Sequence, residues 1–454
     1  MARAKGKAVV SQSVRVSNQI SLGLLAKTIP LERIKSVLRA RGKMSQRLRD
    51  LPAQVMVYYV IAMALYMEEA YREILRRLVE GLAWLLGPEE QAQVAGKAAI
   101  SRARARLGWE VLRDLYEQLV QPIAEQKTRG AWYRKWRLVS LDGSTLDVAD
   151  TAENEQAFGR PGASRGRSAY PQLRFVALVE NGTHVLFGSQ LGAYATGETT
   201  LAQNVVLALQ KGMLCLADRL FFSFRRWDQA RGSGADLLWR VKKNMRLPCE
   251  KRLADGSYWS RVFPSQGDQR RNRNGLLVRV IEYRLEGVAG AEAIYRLLTT
   301  ILDPEQAPAA ELAALYHDRW EIETVLDELK THLRGSKIVL RSKTPDLVRQ
   351  EFWGFLLAHF AIRGLMHEAA LLANEDPDRL SFLHAVRVVR RKLPLFVAIP
   401  PSAENGLPST RAPGNSRTAG GVKPQPAQLP LRETQDEQLP SSAGLRQDAA
   451  TCSC

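Results

Sequence analysis

Two short, largely apolar runs, Trp136–Leu141 and Met213–Ala217, each end on an aspartate, Asp142 and Asp218, and this repeated pattern constrains the fold more than any other feature of the chain. Such a run closed by a polar residue reads as a buried strand reaching its carboxyl end. In an open α/β sheet that end is where ligands bind, so an acid there is well placed to act. The surrounding pattern predicts strands over Arg137–Leu141, Arg174–Glu180 and His184–Leu191, the last two joined by the hairpin turn Asn181-Gly182. A helix over Thr199–Leu209, the strand ending at Asp218, a helix from about Phe224 and a strand over Asp236–Val241 follow. Taken singly, a strand-end aspartate is more often a turn or cap residue, so chemistry needs further groups.

Those groups stand between Tyr316 and Lys330, in Y-H-D-R-W-E-I-E-T-V-L-D-E-L-K. On a single α-helix at roughly 100° per residue, Tyr316, Arg319, Glu323 and Lys330 fall within about 60° of one another. Leu315, Ile322, Val325, Leu326, Leu329 and Leu333 gather on the adjacent arc, which predicts a helix that buries these and exposes the polar stripe. Its carboxylate can hold a divalent metal while Arg and Lys grip a phosphate backbone. Asp327 shares the face one turn beyond Glu323 and is the alternative ligand. It ranks lower because it lies about two turns from Arg319.

A net charge of +18 over 454 residues calls for an anionic partner, nucleic acid first among them. The hydrophobic share of 45% is that of a soluble chain with material for two or three domains. Cys215, Cys249, Cys452 and Cys454 have no spacing that suggests zinc or a disulfide framework, which fits a reducing cytoplasmic setting. The apolar stretch Val55–Met67 is too short to span a bilayer and reads as a buried helix, so no membrane partner is expected. No apolar signal core follows the basic N-terminus.

The domain plan reads as a flexible basic arm over 1–28, a helical domain over 29–130, a catalytic core over 131–243 and 303–395, and a disordered tail over 403–454. Asp142 and Asp218 are 76 positions apart and Asp218 and Glu323 are 105 apart. The second gap is too long for one crossover, so 244–302, with strand-like alternation over Tyr258–Phe263, Gly275–Tyr283 and Ala293–Leu302, is predicted as an inserted β-rich subdomain. In the helical domain, Pro88–Ala95 and Lys97–Leu107 read as a helix pair around Gly96, whose second member would offer Arg102, Arg104 and Arg106 to a DNA groove. The Arg-, Gly- and Ser-rich loop Gly159–Gln172 adds Arg160, Arg165 and Arg167 near the strand ends.

The pattern Y-x2-R-x3-E-x6-K, with Asp142 in SLDGST and Asp218 in LADRLFF, resembles the DDE transposases of the bacterial insertion-sequence-four type, from about Ile29 to about Leu393. The resemblance implies an α/β, ribonuclease-H-like catalytic core and an N-terminal region that binds terminal inverted repeats. It implies that Asp142, Asp218 and Glu323 are catalytic ligands of two Mg²⁺ ions, with Mn²⁺ as a substitute, and that Tyr316, Arg319 and Lys330 contact DNA. The expected partners are double-stranded repeat and target DNA, handled by a homodimer on paired ends in the bacterial cytoplasm, at the nucleoid. Trp320, next to the motif arginine, is the expected platform for a flipped base, and Tyr295 the second aromatic, where tryptophan is expected. A short basic stretch expected near the C-terminus is not seen, which leaves room for a decayed copy that only binds repeats. A nuclease of the same core fold is the other alternative.

Overall fold

The computed structural model describes residues 23–45, 51–86, 95–163, 166–167, 170–284, 292–317, 319, 321–335 and 339–392. The arm over 1–22, most of the first helix of the expected reader pair, Arg165, Trp320 and the tail over 403–454 lie outside these residues.

Helices α1 (Gly23–Thr28), α2 (Leu31–Ala40), α3 (Ala53–Leu65), α4 (Tyr71–Leu86), α5 (Lys97–Leu107) and α6 (Glu110–Leu119) come first. Then follow strands β1 (Trp132–Tyr133) and β2 (Trp136–Asp147), helix α7 (Ala152–Phe158), the small pair β3 (Gly162–Ala163) and β4 (Gly166–Arg167), and strands β5 (Gln172–Glu180) and β6 (Val185–Ala193). Helix α8 (Glu198–Val205), strand β7 (Met213–Ala217), helix α9 (Phe224–Gly232) and strand β8 (Asp236–Arg240) complete the predicted order. The next segment holds β9 (Lys251–Arg252), β10 (Tyr258–Val262), α10 (Gln266–Arg270), β11 (Leu276–Tyr283) and β12 (Tyr295–Thr299). Helices α11 (Ala309–His317) and α12 (Glu321–Asp327), a π-helical turn over Glu328–Leu333, and helices α13 (Pro345–Ala373) and α14 (Phe382–Lys392) end the described chain.

The described residues divide into two compact units. One holds the chain up to Tyr116, with Arg349–Ala361 and the described residues from Val386. Pro30 and Pro52 stand at the N-caps of α2 and α3, where a missing N–H costs nothing, and Gly108, at φ +79°, ends α5. Every residue of Val55–Leu65 is buried, as expected of a helix apolar on all sides. Arg104 departs from its expected place. Its Nε donates to Gln350 Oε1 at 2.9 Å and its Nη1 to Tyr71 Oη at 3.3 Å, while Gln350 returns a hydrogen bond to Arg104 O at 2.9 Å. Arg104 is therefore a buried strut, because its position on α5 shares the apolar face with Ile100, Ala103 and Leu107. Arg102 and Arg106 are exposed.

The second unit, Glu117–Val348 and Ile362–Ala385, is built on a ten-stranded sheet in the order β6-β5-β2-β7-β8-β12-β11-β10-β9, with β1 paired to β2. Strands β2, β7 and β8 run parallel, and β5 and β6 pair antiparallel on one side. The alternation over 244–302 is real, and its strands join the core sheet. β12 pairs antiparallel with β8 through Leu298↔Trp239, so β9 to β12 extend the core sheet. An apolar strand edge at β8 is thereby covered rather than left open. The extension also holds the next helix: Asp255 Oδ2 accepts from Ala309 N at 2.9 Å and Arg279 Nη1 donates to Ala307 O at 2.7 Å.

Among the described residues α13 alone is long and apolar enough to cross a membrane, and 67% of its apolar window is buried within the fold, the signature of a core helix.

Candidate active site

The register of the parallel strands brings the two aspartates together. Leu141 pairs with Ala217 and Ala217 with Trp239, so the next residues, Asp142, Asp218 and Arg240, emerge side by side on neighbouring strands about 5 Å apart. Asp142 is not the end of its strand as expected, because β2 continues to Asp147 against β5, but it is the end of the parallel pairing with β7. Each aspartate accepts a hydrogen bond from the next backbone N–H, Gly143 N to Asp142 Oδ1 at 2.8 Å and Arg219 N to Asp218 Oδ1 at 2.7 Å.

The predicted single helix from Tyr316 to Lys330 is divided into α11, α12 and the π turn, and the first half of its polar stripe, Tyr316 and Arg319, is buried. Tyr316 lies inside the apolar cluster with Leu138, Leu216, Leu297 and Leu312, and its hydroxyl donates to Ala217 O at 3.4 Å. Tyr316 fails to face solvent because α11 packs its tyrosine face on the sheet; burying such a ring contributes about 2 kcal/mol. Arg319 is buried too. Its guanidinium lies 3.5 Å from Asp142 Oδ2 and 3.9 Å from Glu323 Oε1, joining two of the three predicted acids. Glu323 is half exposed, with 51% of its side chain accessible. Lys330 is partly buried, and burial, with Arg334 beside it, lowers its pKa against the opposing pull of Asp142, Asp147 and Asp327.

Among the described residues no three His, Cys, Asp or Glu side chains stand close enough to hold a metal ion together. The predicted trio is therefore split, with Arg319 between Asp142 and Glu323. The donor set still suits a hard cation. Burial pushes the Asp142 carboxyl up to about 6 although the Gly143 N–H and Arg319 pull it down, and the charges of Glu198 and Asp218 add to the rise. The cost of holding this carboxylate charged comes mainly from burial, and a bound divalent ion would offset it.

Several groups at the site escaped the sequence reading. Arg240 Nη1 lies 4.0 Å from Asp218 Oδ1, and Glu292 Oε1 takes both Arg240 Nη2, at 2.8 Å, and Arg219 Nη1, at 2.7 Å. The signal for Arg240 was available, since Leu237-Leu238-Trp239 is one more apolar run closed by a polar residue. Glu198 lies over Gly143, where an added Cβ would stand 3.0 Å from its Cγ and Cδ. The Tyr295 ring, expected as a second aromatic for the base, stacks on Tyr283 at 5.3 Å and carries the Arg240 guanidinium at 4.7 Å. Arg160 is tied to Asp150 and Glu155.

Comparison with known proteins identifies the family. Residues 19–117 match the insertion element 4 transposase N-terminal family and residues 134–361 match the transposase DDE domain family. Transposase InsG for insertion sequence element IS4, from Escherichia coli K12, is 30% identical over 80% of this chain and 80% of its own length. Putative transposase InsZ of the same strain is 27% identical over 45% of this chain and 65% of its own length. A piggyBac transposase in a synaptic complex with hairpin DNA aligns with 82% of this chain and 80% of that chain, at 10% identity and a TM-score of 0.45. The DDE-domain match spans the strands of Asp142 and Asp218 and the helix of Glu323, and with it the chain belongs to the DDE transposases of the insertion element 4 type.

Proposed function

We propose that Asp142, Asp218 and Glu323 are the metal-holding acids of this DNA transposase, and that it excises and reinserts an element by cutting and joining strands at terminal inverted repeats. The supporting observation is the meeting of Asp142 and Asp218 where the parallel pairing of β2 and β7 ends, with Arg319 linking Asp142 to Glu323. When bound, two divalent ions, Mg²⁺ or Mn²⁺ in its place, supply the Lewis acidity that in-line displacement at phosphorus needs at both its attacking and leaving oxygens.

The chain's own groups do the rest. Asp142, fixed by the Gly143 N–H, takes the central place, with Asp218 and Glu323 on either side. Glu323 joins them when its exposed side chain leaves Arg319. Arg319, still beside Asp142, then neutralises a strand phosphate, and Lys330 holds a second. Tyr316 supports this corner from within the core rather than touching DNA. Trp320 keeps its proposed role as a stacking platform for an unpaired base. The helical unit reads the repeats, with exposed Arg102 and Arg106 in reach of DNA, and a second copy of the chain holds the other end. The reaction takes place on the bacterial chromosome in the cytoplasm.

Incubation with duplexes carrying the gene's own flanking repeats tests this reading. The expected result is Mg²⁺-dependent nicking at the repeat end followed by joining of the 3′-end to target DNA. A mobility shift without cutting contradicts it in favour of a repeat-binding protein, and cutting without joining in favour of a nuclease.

A further inference from the structure

Four ionisable side chains from distant parts of the sequence meet in the unit that carries the site: His184 after the β5–β6 turn, Glu328 at the head of the π turn, Arg363 on α13 and Asp378 in the short turn Pro377–Arg379. His184, Glu328 and Arg363 are buried. Arg363 Nε donates to Glu328 Oε2 at 2.9 Å and its Nη2 reaches Oε1. His184 Nδ1 lies 3.3 Å from Glu328 Oε1 and Nε2 lies 2.7 Å from Asp378 Oδ1. Burial and Arg363 oppose a proton on this imidazole, but Asp378 and Glu328 outweigh them and raise its pKa to about 9. Arg363 Nη2 also lies against His184 Nδ1, so the four side chains form one packed polar cluster.

Burying such a set gains little stability over an apolar filling of the same volume. What it fixes is position. Glu328 is the first residue of the π turn, closed by the i→i+5 bond from Arg334 N to Leu329 O at 3.1 Å. The turn carries Lys330 two residues on, and it follows directly from the helix of Glu323. Widened turns of this kind need a local cause and recur at functional sites. Glu328, at the head of this turn, is the carboxylate held by Arg363 and His184.

We infer that Glu328 is a positioning residue: clamped by Arg363 and His184, it sets the rotation of the π turn and thereby aims Lys330 at the DNA strand. The inference rests on the reading of Lys330 as a phosphate contact, so its test has one readout that does not depend on DNA. The full-length protein is compared with the double variant Glu328→Leu/Arg363→Met, which replaces the ion pair by apolar groups, and with Glu328→Gln, the milder change. Amide hydrogen exchange over residues 328–334 is measured in the free protein, and single-turnover cleavage of a repeat-end duplex is measured with and without Lys330→Ala.

The expected result for both variants is at least tenfold faster exchange in the turn with unchanged protection in β2 and β7. Cleavage should fall at least tenfold in the double variant, and Lys330→Ala should add no further loss in that background. Unchanged exchange in variants that fold overturns the inference, as do losses that multiply. Faster exchange in the turn, with Lys330→Ala cleaving like the wild type, upholds the positioning of the turn and refutes the phosphate reading of Lys330 instead.

Discussion

Replacing Asp142 by Asn should destroy catalysis and stabilise the metal-free protein. Asn keeps the size of the side chain and an acceptor for the Gly143 N–H while removing the charge. Burial, the largest cause, moves the Asp142 carboxyl from 3.8 up to about 6, which corresponds to about 3 kcal/mol against the charged form. With 22% of the side chain still exposed, solvent screens part of this, and the expected gain is about 1–3 kcal/mol. The attraction to Arg319 is already contained in that balance, since it acts to lower the same pKa. The sign follows from proton uptake: between pH 3.8 and about 6 the folded state binds more protons at this group than the unfolded chain, so stability falls as pH rises through that window. The penalty is complete above about 6 and vanishes below 3.8. Urea unfolding in EDTA at pH 7.5 and pH 4.5 should therefore show the variant ahead at the higher pH and the gap closing at the lower. A variant no more stable than the wild type at pH 7.5, or a difference that ignores pH, refutes the argument.

Arg104→Ala should cost about 2–4 kcal/mol in thermal or denaturant unfolding by leaving Gln350 Oε1 without its donor, whereas Arg102→Ala with Arg106→Ala should leave stability unchanged and lower the salt dependence of repeat binding by about two phosphates; equal effects of the two changes contradict the assignment. Glu292→Gln releases Arg219 and Arg240 from a shared carboxylate and should tighten duplex binding by about two- to fivefold in a fluorescence titration, with weaker binding as the contrary result. Lys330→Ala should reduce the slope of log affinity against log salt by about one while leaving metal affinity unchanged, which calorimetry checks.

Much of the catalytic sheet is legible because its strands follow simple rules. Buried parallel strands read as apolar runs, so β7 and β8 stand out, and Asn181-Gly182 marks the hairpin between β5 and β6. The register that brings Asp142 beside Asp218 follows from two runs of the same kind ending at the same edge. Two features escaped because they depend on tertiary partners. Periodicity at 100° per residue assumes an unbroken α-helix, and the π turn begins at Glu328, held by Arg363 and His184, which are remote in sequence. Likewise, alternation over 244–302 predicts strands but not their neighbour; only the open edge of β8 decides that β12 joins the core sheet. Arg104 shows the limit of composition, since a basic helix face looks alike whether it meets DNA or Gln350.

The central claim is that three acids from β2, the end of β7 and α12 act as one metal site. Calorimetric titration of Mn²⁺ into the protein bound to repeat-end DNA, for the wild type and for Asp142→Ala, Asp218→Ala and Glu323→Ala, tests it most directly. The expected result is tight binding of about two ions to the wild type, loss of at least one in each variant, and DNA affinity kept in all three. Unchanged Mn²⁺ binding in any one of the variants, or loss of DNA binding in all of them, contradicts it.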